Sequence, residues 1–407
     1  MTRLEVKVKT TDTPSPYFYP SRTLEIRVEN SRLMTPLRAA TSYEYHAKMK
    51  VPTANTLESP LMIDVRRVGA VDLQNLLTQN GTYGSMFKKV EQNKRQGQYA
   101  KLKLTMFQPT TTPYVEKGKS KPKKKPSAMD LLKTRATREK FLRFVIKMQI
   151  DAQMDLITVP FIKLPFGDMR SMVKDIHRHL TKLSLQPLFF VDLKYAAFRP
   201  FVELLVDELK SNAVGLLYKP YRYAAVNYDL LRTEYLDRDV AFFAANTNRY
   251  DLDFDDVSTM HYLPFFGNDI YAVARPPSIY KSDEATDEKR TDKTPGLQNI
   301  RFFNRRSLKV KPVIASNAES ILNDFVNRDH EVLAPILRNR QEAETDLRKW
   351  YSLSYLSKVH ELSASLVEFE SLRKFIDQSD SKDYVKAKPS LQRVLSQMKT
   401  TTLNGFS

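Results

Sequence analysis

Asp192 closes the apolar run Leu188-Phe189-Phe190-Val191, and Lys194 follows two residues on. A carboxylate ending such a run is partly desolvated, and a lysine two positions along an extended segment shares its face. Such a pair can shift proton affinities toward acid–base or nucleophilic work, although a structural ion pair at a strand end explains it equally well. Polar residues recur beside the other apolar runs. Asp64 ends Leu61-Met62-Ile63, and Lys219 and Tyr221 follow the run from Ala213 to Tyr218. Asn246, Asn248 and Arg249 follow the run from Val240 to Ala245, His261 lies within that from Thr259 to Leu263, and Asp269 precedes Ile270. Asp192, Asp64 and His261 are thus the candidate catalytic groups, and Tyr221, Asn246, Asn248 and Asp269 the candidate pocket. A lone histidine in such a run is more often a core residue than a base. His177 and His179 are two apart on a helical pattern and face different ways, as solvated residues do. No HExxH, Ser/His/Asp or P-loop pattern occurs, so neither a metal nor a cofactor is expected.

These residues need elements to gather them. From Asp155 to Pro276 short apolar runs alternate with stretches of helical spacing, the signature of βαβ units and a parallel sheet. Runs begin at Leu156, Leu188, Ala213, Val240, Thr259 and Ile270, and segments 59–65 and 101–107 supply two more. Eight strands predict a closed (β/α)8 barrel with its working residues at the C-terminal strand ends. An open doubly wound sheet is the alternative, but its glycine-rich first turn is missing. Helices are expected at 71–90, from Arg138 to Met154, and from an N-cap at Asp168. The domains follow: a β-rich N-terminal extension over 1–58, a TIM-like barrel over 59–280, a charged loop and basic segment over 281–316, and a helical region over 317–407 whose last part, from Lys386, frays.

The chain has 407 residues and a formal charge of +18. Such a surface suits a polyanion, nucleic acid before an anionic membrane. The segment 109–127 carries Lys117, Lys119, Lys121, Lys123, Lys124 and Lys125 among prolines and small residues. It reads as a mobile basic arm whose phosphate contacts would be salt-sensitive. Lys219-Pro220-Tyr221-Arg222-Tyr223 and Arg301-Phe302-Phe303-Asn304-Arg305-Arg306 mix cations with aromatic rings, as stacking and phosphate contact require. Lys194, Lys219, Arg222, Arg249, Arg301, Arg305 and Arg306 complete the expected nucleic-acid contacts. Absence of cysteine excludes disulfides and thiolate zinc sites. No apolar block has the length of a signal peptide or membrane span, and a cytoplasmic location is expected.

The passage from Phe144 to Ile162, and that from His261 through Asp269-Ile270-Tyr271, resemble the helix-then-strand and late strands of the tRNA-guanine transglycosylase family. The likeness covers residues 59–276. It implies a (β/α)8 barrel that exchanges a base in tRNA or DNA through an aspartate nucleophile with a second aspartate nearby. The family's Asp-Ser-Gly-Gly-Phe-Gln motif and cysteine-rich zinc site are absent; the nearest segment is Ile63-Asp64-Val65-Arg66. Asp192 and Asp64 take the two carboxylate roles by position. Two other functions fit the same chain: a non-catalytic nucleic-acid-binding module, or a structural subunit whose C-terminal helices meet a protein partner or a second copy.

Overall fold

The computed structural model describes residues 4–12, 19–29, 31–45, 60–78, 80–97, 100–112, 114–115, 124–248, 250, 254, 256–273, 301–312 and 350–404. All but one of the eight expected runs become strands: β5 (Leu61–Val68), β6 (Leu102–Pro109), β9 (Ile157–Val159), β10 (Pro187–Asp192), β11 (Ala213–Leu217), β12 (Ala241–Thr247) and β13 (Ile270–Val273). The exception is the Thr259 run. It forms a helix, Thr259–Tyr262, followed by a 3-10 turn, Leu263–Phe266, that ends at Gly267 with φ of 73°. Pro264 in the turn has no N–H to give a ladder, and an apolar run this short carries no period that separates strand from helix.

Six strands form one parallel sheet in the order β4 (Leu37–Ala39), β13, β12, β11, β10, β9. Its edge strand β4 comes from the segment expected to be extension, ahead of the boundary at 59. β5 and β6 pair in parallel with each other. A parallel bridge at Ala40 and Met62 ties them to β4, with Ala40 N–H donating to Leu61 O and Ile63 N–H to Ala40 O, both at 2.9 Å. At the other end β6 and β9 touch without a ladder. There the buried Gln149 amide takes the place of a neighbouring strand: it accepts from Thr158 N–H at 2.8 Å and donates to Thr158 O at 2.9 Å. The Thr158 hydroxyl reaches Thr105 O across the gap at 2.6 Å. The backbone ladders therefore do not close into a ring.

Helices follow the strands and cover one face: Ala70–Thr78 and Asn80–Gln96 after β5, Arg135–Asp151 before β9, Phe166–Lys182 after β9, Phe198–Glu203 after β10, and Ala225–Glu234 after β11. Pro165, not Asp168, caps the helix after β9; Asp168 lies in its first turn, where an acidic side chain suits the positive end of the helix dipole. Between β6 and the helix at Arg135, Tyr114–Val115 (β7) pairs with Lys124–Lys125 (β8) in the segment expected to be an arm, whose residues 116–123 lie outside the described residues. Among the described residues no helix is long and apolar enough to cross a membrane.

An antiparallel sheet of β1 (Leu4–Thr11), β2 (Arg22–Val28) and β3 (Ser31–Met34) lies at the N-terminal end of the parallel strands. Leu4 and Val8 bond Gln186, Asn212 and Asp239, which precede β10, β11 and β12. Arg22 is the main anchor. The residue is 3% exposed, and its guanidinium grips Asp269 through two bonds of 3.0 and 2.7 Å and donates to the carbonyls of Tyr235, Leu236, Arg238 and Val240.

On the helix-covered side, the long helix Trp350–Asp377 packs against β4 and against the hairpin of β14 (Arg301–Asn304) and β15 (Lys309–Pro312). Helices Ser381–Lys386 and Pro389–Asn404 complete the C-terminal region, so the tail expected to fray is helical as far as Asn404. The buried Glu368 carboxylate accepts from Tyr384 Oη at 2.8 Å, pairs with Lys388 at 2.7 Å and faces Arg305 Nε at 3.6 Å. Residues 317–349 lie outside the described residues.

Candidate functional site at the C-terminal strand ends

Strand register separates the two faces of the sheet. Arg38 on β4 is buried against the long C-terminal helix, donating to Ser365 Oγ at 3.4 Å and pairing with Glu361. Across the sheet its register mates are Tyr271, Ala244, Leu216 and Val191. Side chains alternate along a strand, so Phe190, Asp192, Leu217 and Ala245 lie on the face away from that helix. The close approach of Phe190 to Gly215 on this face leaves no room for a Cβ, whose position would be 2.5 Å from the ring.

Asp192 is the last residue of β10, level with Leu217 and Ala245. Lys194 N–H donates to its Oδ1 at 2.8 Å, and Lys219 Nζ, just past the end of β11, lies 3.2 Å from Oδ2. The carboxylate is 21% exposed and the ammonium 34%. The expected partner, Lys194, supplies its backbone instead. Its ammonium lies 3.9 Å above the Tyr223 ring, and the Arg222 guanidinium lies 4.5 Å from the same ring. Beyond the end of β11 the chain makes a 3-10 turn, Tyr221–Tyr223. That turn inverts the expected tyrosine roles. Tyr221 is 1% exposed and packs on Tyr228 and Phe266, whereas Tyr223 is 49% exposed. The sequence places both rings in one basic segment, but its spacing does not tell which turns inward.

Asn246 stands one residue beyond the level of Asp192, two strands away, where the pairing of β12 with β13 is irregular. Its φ is 61°, in the left-handed region that asparagine tolerates better than most residues. Its Oδ1 is buried without a hydrogen-bond partner among the described residues. Asn248 is exposed beside it, and Arg249 lies outside the described residues.

The remaining candidates are elsewhere. Asp64 lies within β5 on the opposite face from Asp192. It shares the side of Met62, which packs against Gly97 at the end of the helix after β5. It accepts from Ser42 N–H and Oγ at 3.1 and 2.8 Å and from Asn93 Nδ2. Asp64 and Asp192 therefore do not form a carboxylate pair. Asp269 is at the N-terminal end of β13, opposite the end that holds Asp192, and holds Arg22; burial pushes its carboxyl up while Arg22 opposes the shift. His261 is 1% exposed and lies between the rings of Phe303 and Phe369, at 4.7 and 5.0 Å between centroids. Burial, with Arg38 and Lys388 adding to it, drives its pKa well below the ordinary histidine range. It is a core ring, not a rim residue.

Among the basic candidates, Arg305 faces Glu368, and Arg306 is exposed on the β14–β15 turn. Lys124 and Lys125 lie on β8, Arg301 begins β14, and Lys117, Lys119, Lys121 and Lys123 lie outside the described residues. A separate groove of about 400 Å³, lined by Arg135, Leu142, Arg143, Met172, Asp175 and Ile176, runs between the helices flanking β9. The structure thus brings together Asp192, Lys194, Lys219, Arg222 and Tyr223 at one end of the sheet, with Asn246 at the same end. No protein-family model and no curated protein matches the chain.

Proposed function

We propose that the chain is a nucleic-acid-acting protein built on a (β/α)8-like barrel, with its working rim at the C-terminal ends of β10, β11 and β12. Support for the barrel comes from the strand inventory. Six laddered strands and the β5–β6 pair make eight, all parallel, joined by backbone at Ala40 and by the Thr158 hydroxyl at the opposite seam. The helix-facing side also keeps its sense from β10 round to β5, through Arg38, Ala40, Met62 and Asp64. In such folds chemistry sits where the strands end. A charge of +18 supplies the long-range attraction for a polyanion.

The observation that carries the reading is the Asp192–Lys219 pair at that rim, on the face away from the long C-terminal helix. A phosphate drawn to Lys219 competes with Asp192 for the ammonium and frees the carboxylate beside a bound nucleotide. Asp192 then serves as nucleophile or general base in base exchange on tRNA or DNA, and Lys219 offsets developing negative charge. The step has one carboxylate rather than two, because Asp64 faces the helix layer. The test is incorporation of a labelled purine base into bulk tRNA and into DNA. Asp192→Asn is expected to abolish incorporation while leaving polynucleotide affinity within about twofold. Incorporation undiminished by that variant refutes the role of Asp192. Binding without incorporation by the unaltered protein makes the rim a non-catalytic nucleic-acid site.

A further inference from the structure

We infer that the turn after β11 is a stacking site for an unpaired base, and that the chain engages single-stranded rather than duplex nucleic acid. The inference rests on the rim reading above and narrows its substrate class. Four observations carry it. Tyr223 is one of few large apolar or aromatic side chains exposed among the described residues, at 49%, and Val226, three residues on, is another at 64%. Folding gains nothing from leaving an aromatic ring in water, and the neighbouring Tyr221 shows that this segment can bury one. The ring carries two cations, Lys194 Nζ at 3.9 Å and Arg222 at 4.5 Å from its centroid. Finally, the turn is continuous with Lys219 and, through it, with Asp192.

A base has a π-face of any sequence, so an exposed ring flanked by cations binds nucleotides without reading them. Arg222 presents a planar guanidinium that extends the stack, and Lys194 is a point charge that moves from ring to phosphate as the strand arrives. Bases in a duplex have their faces covered by neighbours, which leaves this platform only the backbone charge. Single strands, loops and ends therefore gain the stacking contribution and duplexes do not. Val226 offers apolar contact to the edge of the stacked base.

The experiment is fluorescence-anisotropy titration of the full chain with a labelled 12-mer single-stranded DNA, the same RNA, and the DNA duplex, at two salt concentrations. Tyr223→Ala is expected to weaken single-strand binding roughly tenfold, Tyr223→Phe to retain it, and both to leave duplex binding unchanged, as loss of one stacked base implies. Lys194→Gln with Arg222→Gln is expected to flatten the salt dependence. Circular dichroism checks that the exposed substitution leaves the fold intact. Equal affinity of Tyr223→Ala and the unaltered chain for the single strand overturns the inference, as does tighter binding of duplex than of single strand. Purine incorporation bears on Asp192 alone, so a platform without base exchange, or base exchange without the platform, tells the two readings apart.

Discussion

Replacing His261 by phenylalanine isolates the energetic cost of protonating one core ring. His261 is third from one end of a column of rings: Tyr271, Phe369, His261 and Phe303, spaced 5.4, 5.0 and 4.7 Å apart and within 17° of parallel. The column joins β13, the long C-terminal helix and β14. Among the described residues both imidazole nitrogens lack a hydrogen-bond partner, and Arg38 and Lys388 add repulsion to the burial that disfavours the charged ring. In the unfolded chain the same histidine titrates near about 6.5. Below that pH the unfolded state takes up a proton that the native state refuses, so stability is complete above the unfolded pKa and falls as the pH drops. The limiting slope is about 1.4 kcal/mol per pH unit. Integrated from pH 7 to pH 5, the loss is about 2 kcal/mol. Buried Asp12 and Asp269 and half-buried Asp155 shift upward, which works in the opposite sense, but they are common to both proteins and cancel in the comparison. Urea unfolding of both proteins at pH 7 and pH 5 measures the difference. His261→Phe, which keeps the stack, is expected to lose about 2 kcal/mol less than the unaltered chain over this interval. Identical pH dependence in the two proteins refutes the reasoning, since it means the ring is not held neutral in the fold.

Two further substitutions probe the ends of the sheet. Asp269→Asn leaves the buried Arg22 guanidinium without its counter-charge and is expected to cost about 3–5 kcal/mol in urea unfolding, part of it recovered when Arg22 is also replaced by methionine. Gln149→Leu strips Thr158 N–H and C=O of their partners, with an expected loss of about 2–4 kcal/mol and faster amide exchange at Thr158, read by hydrogen-exchange mass spectrometry.

The parallel strands were legible because strands buried on both faces are continuous apolar runs, and Leu188–Asp192 or Ala213–Leu217 have no other easy reading. Val68 and Pro109, at the ends of longer strands than expected, follow charged or polar residues that broke the pattern. β4 escaped notice because three residues carry no period, and its arginine, Arg38, reads as surface until a helix three hundred positions later supplies Glu361 and Ser365. The positions of Asp192, Lys219 and Asn246 at the C-terminal strand ends were legible, because they depend only on where a strand ends. Those of Asp64 and Asp269 were not. An aspartate within a strand is assigned to a face by register, and one before a strand by the direction of the chain, and both depend on partners distant in sequence. Tyr221 and Tyr223 differ only in how a 3-10 turn rotates them.

Arg22 has one further consequence, for the order in which the molecule assembles. Its carbonyl partners lie 213 to 218 positions downstream and its carboxylate partner 247. Arg22 therefore leaves the ribosome long before its buried partners exist. The Arg22–Asp269 contact can close only after synthesis has passed Asp269, so this anchor belongs to the long-range contacts whose loop-closure entropy slows folding.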